Sequence, residues 1–473
     1  MKELSEKKKA SLISQKEKEL AKLARKQLKP VVGKYLIILF VMCTLNFCID
    51  IFGSNFPDIM KADAIKNLLP GKSAEEGLQT YQNLTMIFAG LIGMSVPFYK
   101  ALTDKYGRKP FLIINTLLCA VGMFISMIST NIYFYILGMV IAMLGTLGDV
   151  HQIYILEAAP KKLRARFASL TKGISVLSSS LIGVFKLLFQ TEAVPESWRY
   201  VFIIPVLAGL LVGIFSCFFT QETEPFVENR KAILKQEICN LQGIEVIREE
   251  NEEEAKKLTF KEVITFIFTH RQTLMLFIAA FFFCAANAFT TPYSLLLEEV
   301  GSDAVAIVSI IYPFIEGAFS VIGGIISDKF GRKTTVIANG IAFMIAYAVF
   351  ILGSKSGLSI AALGVAYGFT TGGYWAGRDT LGTTMPSESV PTKSRATIVG
   401  IFTILTSAAF SISTVALSNI PALFGLDLGF THLIGCDALM ILAVIFVIIG
   451  VGETKNIDMD TVTGNEWNRK KKA

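Results

Sequence analysis

About twelve apolar stretches of 18 or more residues recur along this chain, each long enough to cross a hydrocarbon core of roughly 30 Å as a helix. They cover 35–57, 80–100, 110–129, 132–157, 167–190 and 199–220, then 271–297, 303–327, 334–353, 357–386, 395–418 and 430–452. Lipid offers no partner for a backbone N–H or C=O, so apolar segments of this length must satisfy their own backbone as helices. Composition points the same way. With 52% hydrophobic and only 18% charged residues, the 473-residue chain has too little polar surface to stay in water. These features predict an all-α membrane protein of twelve transmembrane helices.

A polar segment at 221–269, with REENEEEAKK at 248–257, separates the sixth span from the seventh. It divides the chain into a basic segment 1–34, a six-helix bundle 35–220, a central loop 221–269, a second six-helix bundle 270–453 and a tail 454–473. Lys and Arg in short loops resist translocation, which fixes orientation. The segment up to Lys34 holds eleven of them, and the matching alternate loops hold Lys105, Arg108, Lys109, Lys161, Lys162, Arg164, Arg166, Lys329, Arg332, Lys333, Lys393 and Arg395. The opposite loops are poor in base. Both termini are therefore expected in the cytoplasm, with the chain as a monomer in the cell membrane. The net charge of +7 follows from this asymmetry and suits contact with an anionic lipid bilayer, so no nucleic acid is expected as partner.

Within the basic segment, KEKELAKLARKQ reads as a helix on the membrane surface or as a solvated tail. The first apolar run is long and no small-residue cleavage site follows it, so it is expected to remain as an anchor and not a signal peptide. Cys43, Cys48, Cys119, Cys217, Cys239, Cys284 and Cys436 are scattered without ligand spacing, which argues against disulfides and zinc. The phosphate-binding pattern G-x-x-x-x-G-K-[ST] is absent. No metal, cofactor or catalytic cluster is expected, and the chain does not read as an enzyme.

The two halves repeat one another. ALTDKYGRK at 101–109 recurs as IISDKFGRK at 325–333, each in the short loop between a second and a third span of six. EAAPKKLRA at 157–165 recurs as ESVPTKSRA at 388–396, and Glu222-Thr223 as Glu453-Thr454. Parallel repeats of this kind are one way in which transporters build a midplane site with alternating access.

The loop motif resembles the signature of the major facilitator superfamily, G-x-x-x-D-[RK]-x-G-R-[RK]. Gly324 to Lys333 matches it in full, and the first copy departs with Lys100 in place of the glycine. The resemblance covers about residues 33–455 and implies two pseudo-symmetric six-helix bundles, the major facilitator fold. YILEAAPKKLRA at 154–165 is similar to the sugar-porter branch and its organic-ion relatives. A Gln-Gln pair in the seventh span and a Trp five residues before the tenth-span Glu are missing, so hexose is not implied as the substrate. The resemblance also implies that Asp104, Arg108, Lys109, Glu157 and Arg164, with Asp328, Arg332, Lys333, Glu388 and Arg395, form charge networks closing the cytoplasmic side in the outward-facing state. The alternative is that they only fix topology.

Ionisable groups at membrane depth are costly and need a partner, a water-filled cavity or a proton. Asp50 in the first span, and Asp149, His151 and Gln152 in the fourth, are candidates for proton or substrate binding. Asp149 and Gln152 sit at i and i+3, near one face of a continuous helix. Glu316 in the eighth span follows Pro313, and Asn287 lies in the seventh. TTGGYWAGRD in the tenth supplies Tyr374, Trp375, Arg378 and Asp379, aromatic and charged groups suited to a ring-bearing or carboxylate ligand. Against each stands a plain structural role, with Arg378 paired internally to Asp379 or Glu316. Lys172 and Lys186 are expected to snorkel toward the two interfaces.

The function expected is secondary transport of a small polar organic solute, such as an organic acid or zwitterion, by proton-coupled symport. Two alternatives stay open: a sugar or polyol porter, and a transport-dead sensor or scaffold.

Overall fold

A computed structural model describes residues 6–25, 28–160, 164–242, 260–301, 303–418, 427–457, 462–463 and 466–467. The acidic stretch 248–257 and the basic tail after Trp467 thus lie outside the described residues. Among the described residues, ten helices are long and apolar enough to cross a membrane: Gly33–Ile59, Ala74–Tyr106, Arg108–Ile128, Ile132–Ala158, Leu170–Phe189, Pro195–Phe219, Arg271–Glu298, Arg332–Ser356, Thr397–Ala416 and Leu428–Gly450. Two more complete the twelve. Ala304–Phe330 carries its apolar run in a shorter part, Ala304–Phe319, and Ile360–Asp379 is diluted by glycine, threonine and the Arg378-Asp379 pair.

The first, third, fourth, fifth and sixth spans pack with one another, and so do the seventh, ninth, tenth and twelfth. The two groups meet through the second span against the eleventh and the fifth against the eighth. Small residues permit these approaches. A Cβ at Gly93 would stand 2.6 Å from the Ser407 side chain, and one at Gly183 would stand 2.4 Å from the Ala306 carbonyl oxygen. Large side chains on the outer faces, such as Phe218, Ile345 and Ile449, stay exposed, as lipid-facing positions should.

Three expectations are corrected. The fourth span is not one continuous helix: Ile132–Gly145 gives way to a turn at Leu147–Asp149, where Gly148 has φ +81° and Asp149 φ +50°, before Val150–Ala158 resumes. Asp149 and Gln152 therefore do not share a regular helical face. The basic helix Glu6–Ala24 does not hang free as a solvated tail, because it packs antiparallel on a central-loop helix, Glu224–Gln242. Lys16 pairs with Glu237, and Arg230 with Glu19 at 2.9 Å. Half-buried Leu12, Leu20 and Leu23 lie on the same side of the basic helix as Lys16 and Glu19. The third correction concerns two lysines: Lys172 and Lys186 do not snorkel but hold carboxylates, as described below.

Candidate functional site

The base-rich end carries two copies of one network. In the first bundle Arg108 Nη2 donates to Glu157 Oε1 at 2.9 Å, and its Nη1 pairs with Asp104 Oδ1 at 2.6 Å. In the second, Arg332 Nη2 donates to Glu388 Oε1 at 3.2 Å and Nη1 to Asp328 Oδ1 at 2.8 Å. Lys109 Nζ donates to the Thr220 carbonyl at 2.7 Å and Lys333 Nζ to that of Ile448 at 2.8 Å. Each contact stays within its own bundle. Arg395 donates to the Val390 carbonyl at 3.5 Å, while the side chain of Arg164 lies outside the described residues.

Glu222 and Glu453 complete these networks, and sequence reasoning left them out of the candidate set although their Glu-Thr repeat was visible. Glu222 Oε1 accepts the backbone N–H of Arg108 at 2.9 Å, and Glu453 Oε1 that of Arg332 at 2.8 Å. An acid at the positive end of the third and ninth spans satisfies orphan donors and the helix dipole together. Thr223 Oγ1 then donates to Glu157 Oε2 at 2.6 Å, and Thr454 Oγ1 to Glu388 Oε2 at 2.5 Å. The intervening glycine is required twice over. Gly107 and Gly331 have φ of +109° and +102°, and a Cβ there would lie 2.2 and 2.3 Å from the capping carboxylates.

At mid-depth in the first bundle, Asp50 Oδ2 lies 3.7 Å from His151 Nδ1. The imidazole stacks on Phe47 with centroids 3.7 Å apart, and its Nε2 is buried without a hydrogen-bond partner. A small cavity of mixed lining, with polar Asn46, Asn115 and Thr116 and apolar Leu112, Cys119 and Val150, lies beside the pair. Structure thus brings together two residues 101 positions apart that were separate candidates. Asp149, at the kink after Gly148, lies within electrostatic range of both. Its side chain is 59% exposed and lies 3.9 Å from Lys100 Nζ, so the residue that departs from the loop signature has a counter-charge in the fourth span. Gln152 is half-buried.

In the second bundle, Tyr374 is buried and stacks on Phe283, whereas Trp375 is 41% exposed with the Arg378 guanidinium 5.2 Å from its ring centre. Arg378 Nη1 reaches Asp379 Oδ1 at 3.3 Å. Asp379 Oδ2 in turn lies 3.3 Å from Lys172 Nζ, in the fifth span of the opposite bundle. Glu316 is hydrogen-bonded to Thr371 and lies within electrostatic range of Lys172 and Asp379, and Arg378 within that of Asp149. Charged groups facing one another between the bundles while about two-fifths exposed border space that water can fill and lipid cannot. Asn287 stands apart from this group, its Oδ1 accepting from Thr290 Oγ1 at 3.1 Å where the seventh helix breaks.

The base-poor end is sealed. Lys61, fully buried, donates to Asp58 Oδ1 at 2.9 Å and to the Thr291 carbonyl of the other bundle at 2.8 Å. Ser294 Oγ returns a bond to the Asp58 carbonyl at 2.8 Å. Buried Lys186 pairs with buried Asp63 behind them. Gln82 belongs to this seal through Thr291 Oγ1 at 3.4 Å, and Tyr81 through its bond to the Pro57 carbonyl.

The chain is 25% identical over 401 residues to the arabinose-proton symporter of Bacillus subtilis, covering 80% of this chain and 84% of that protein. It is 32% identical over 121 residues to the sialic acid transporter NanX of Escherichia coli, covering 24% and 28%. Among solved structures, a D-xylose-proton symporter superposes with a TM-score of 0.68 at 15% identity, over 89% of this chain and 99% of that one. The family model of the Major Facilitator Superfamily matches residues 37–414. With that match spanning most of its length, and the helical architecture repeated in a solved transporter, the chain belongs to the Major Facilitator Superfamily, a family of transporters and not of enzymes.

Proposed function

We propose that this chain carries a sugar together with protons across the cell membrane, into the cytoplasm, by alternating access. Similarity over most of its length to an arabinose-proton symporter supports the solute class. One geometric observation carries the coupling: half-buried Asp50 and buried His151, side by side at a small cavity, form a pair that can take up a proton when its cavity faces one side and release it on the other. The solute is expected against Trp375, whose exposed face suits a pyranose ring, with Asp379 and Glu316 available to accept hydroxyl hydrogen bonds. The loop networks, each closed within one bundle, keep the bundles rigid as they rock. We assign both termini and the base-rich loops to the cytoplasmic side.

A second reading has an observation of its own. Lys172 and Arg378 place two cations at the same vestibule, which would suit an acidic sugar or organic acid, and a quarter of the chain is similar to a sialic acid transporter.

Uptake of labelled neutral and acidic sugars into proteoliposomes, with and without an inward proton gradient, tests both. The expected result is accumulation of at least one sugar driven by the gradient. Asp50→Asn is expected to abolish accumulation while solute counterflow persists. Solute accumulation that ignores the gradient would remove the proton from the account. A sugar that binds the chain but fails to exchange in counterflow would be binding without carriage, the behaviour of a sensor.

A further inference from the structure

A lysine near the end of a membrane span usually has a simple explanation, its ammonium reaching for the nearest interface. Lys172 does not fit it. It lies in the first half of the fifth span, and its Nζ crosses to the opposite bundle to meet Asp379 Oδ2 at 3.3 Å. Both side chains are about two-fifths exposed, at 39% and 42%. The contact lies toward the base-rich end, away from the seal that Lys61, Asp58 and Thr291 make at the base-poor end.

Three features make this pair suited to a working contact and not a permanent one. Its partners belong to different bundles, so any separation of the bundles at this level must break it. It is wet and long, and exposed pairs of this kind hold only a factor of about two to five in an equilibrium. Asp379 is also contacted by Arg378, which lies over the exposed ring of Trp375, so the carboxylate belongs to the surface on which a solute would rest. A second acid, Glu316, lies within electrostatic reach of Lys172 on the same opposing bundle. When the pair with Asp379 parts, Lys172 is not left without a counter-charge.

We infer that Lys172 is a gating residue: its ion pair with Asp379 holds the base-rich side of the two bundles together, and solute that engages Asp379 releases it, letting that side open. The inference rests on the alternating-access reading above. It adds that occupancy and opening are linked through one named cross-bundle contact. Lys172 acts by positioning Asp379 and need not touch the solute.

The test is a distance measurement on the full chain in nanodiscs, with spin labels at Tyr106 and Phe330, exposed residues at the base-rich ends of the second and eighth spans. Without solute, Lys172→Met and Asp379→Asn are each expected to raise the ratio of long to short label separations two- to fivefold over wild type. Lys172→Arg should keep the wild-type distribution, and the charge-exchanged double variant Lys172→Asp/Asp379→Lys should return toward it. If both single variants match wild type while remaining monodisperse, or if the exchanged pair behaves like the single variants, Lys172 does not gate the base-rich side. The readout needs no transport. A chain that shows these shifts but accumulates no sugar would overturn the proposed solute and leave the gate standing.

Discussion

At the residue scale, the account turns on ionic groups that would be ruinous in lipid unless each has a role. The repeated loops show how tightly one such role can be fixed. Gly331 has φ +102°, and a Cβ there would stand 2.3 Å from the Glu453 carboxylate, whereas Gly357 has φ +77° with open space around it. Alanine at Gly357 meets the left-handed penalty of about 1–2 kcal/mol, and at Gly331, whose ψ of 159° places it in backbone space essentially reserved for glycine, the strain is on the order of 1–3 kcal/mol. Only at Gly331 must the cap on the ninth span also shift. Gly331→Ala is therefore expected to lower the thermal unfolding temperature more than Gly357→Ala, as read by intrinsic fluorescence in detergent. Equal losses would mean that Glu453 does not hold the helix start. Residues of this class were legible in sequence because Asp, Gly, Arg, Glu and Thr recur in one order in both halves. Lys172 was not, because a lone lysine near a helix end reads as an interface anchor and its partner is 207 positions away. His151 was legible as a candidate but not as the neighbour of Asp50, since nothing in a linear pattern says which face of the first span meets the fourth.

At the scale of elements, spans were readable wherever apolarity alone decides them, and their ends were not. The fourth span looked continuous because Gly-Asp inside an apolar run does not by itself stop a helix. The positive φ of Gly148 and Asp149 breaks it there, and the break takes Asp149 off the helical face it was expected to share with Gln152. The tenth span fell below the apolarity of its neighbours for a reason of the opposite kind, since the glycines, threonines and charged pair that dilute it are the candidate site itself. The N-terminal segment reads from sequence as a helix on the membrane surface or as a solvated tail, and its contact with the central-loop helix is not legible because that counterpart is equally polar. Its antiparallel contact, with Lys16 on Glu237 and Glu19 on Arg230, is open to a charge-reversal test. Glu19→Lys should speed limited chymotrypsin cleavage at the leucines within residues 6–25 about two- to fivefold, given the usual strength of exposed pairs, and Arg230→Glu added to it should slow cleavage again. Cleavage indifferent to both changes would mean that the apolar stripe alone holds the helix in place.

At the scale of the whole molecule, two bundles joined by small-residue contacts enclose charged groups at one end and are sealed by a buried lysine at the other. In this pose Lys61 seals the base-poor end and the exposed Lys172–Asp379 pair spans the base-rich one; the base-rich side opens if that pair parts, and the base-poor side opens if Lys61 leaves the Thr291 carbonyl while the pair stays made. The most direct measurement is the labelling rate of single cysteines placed at Ser294, in the seal, and at Thr383, exposed near the base-rich end, in a chain whose native cysteines are replaced by alanine or serine. As sugar and proton concentrations are varied, the account predicts reciprocal behaviour, with labelling at 294 rising whenever labelling at 383 falls. Rates that rise and fall together, or that ignore both solute and proton, would contradict carriage through a central space that opens to one side at a time.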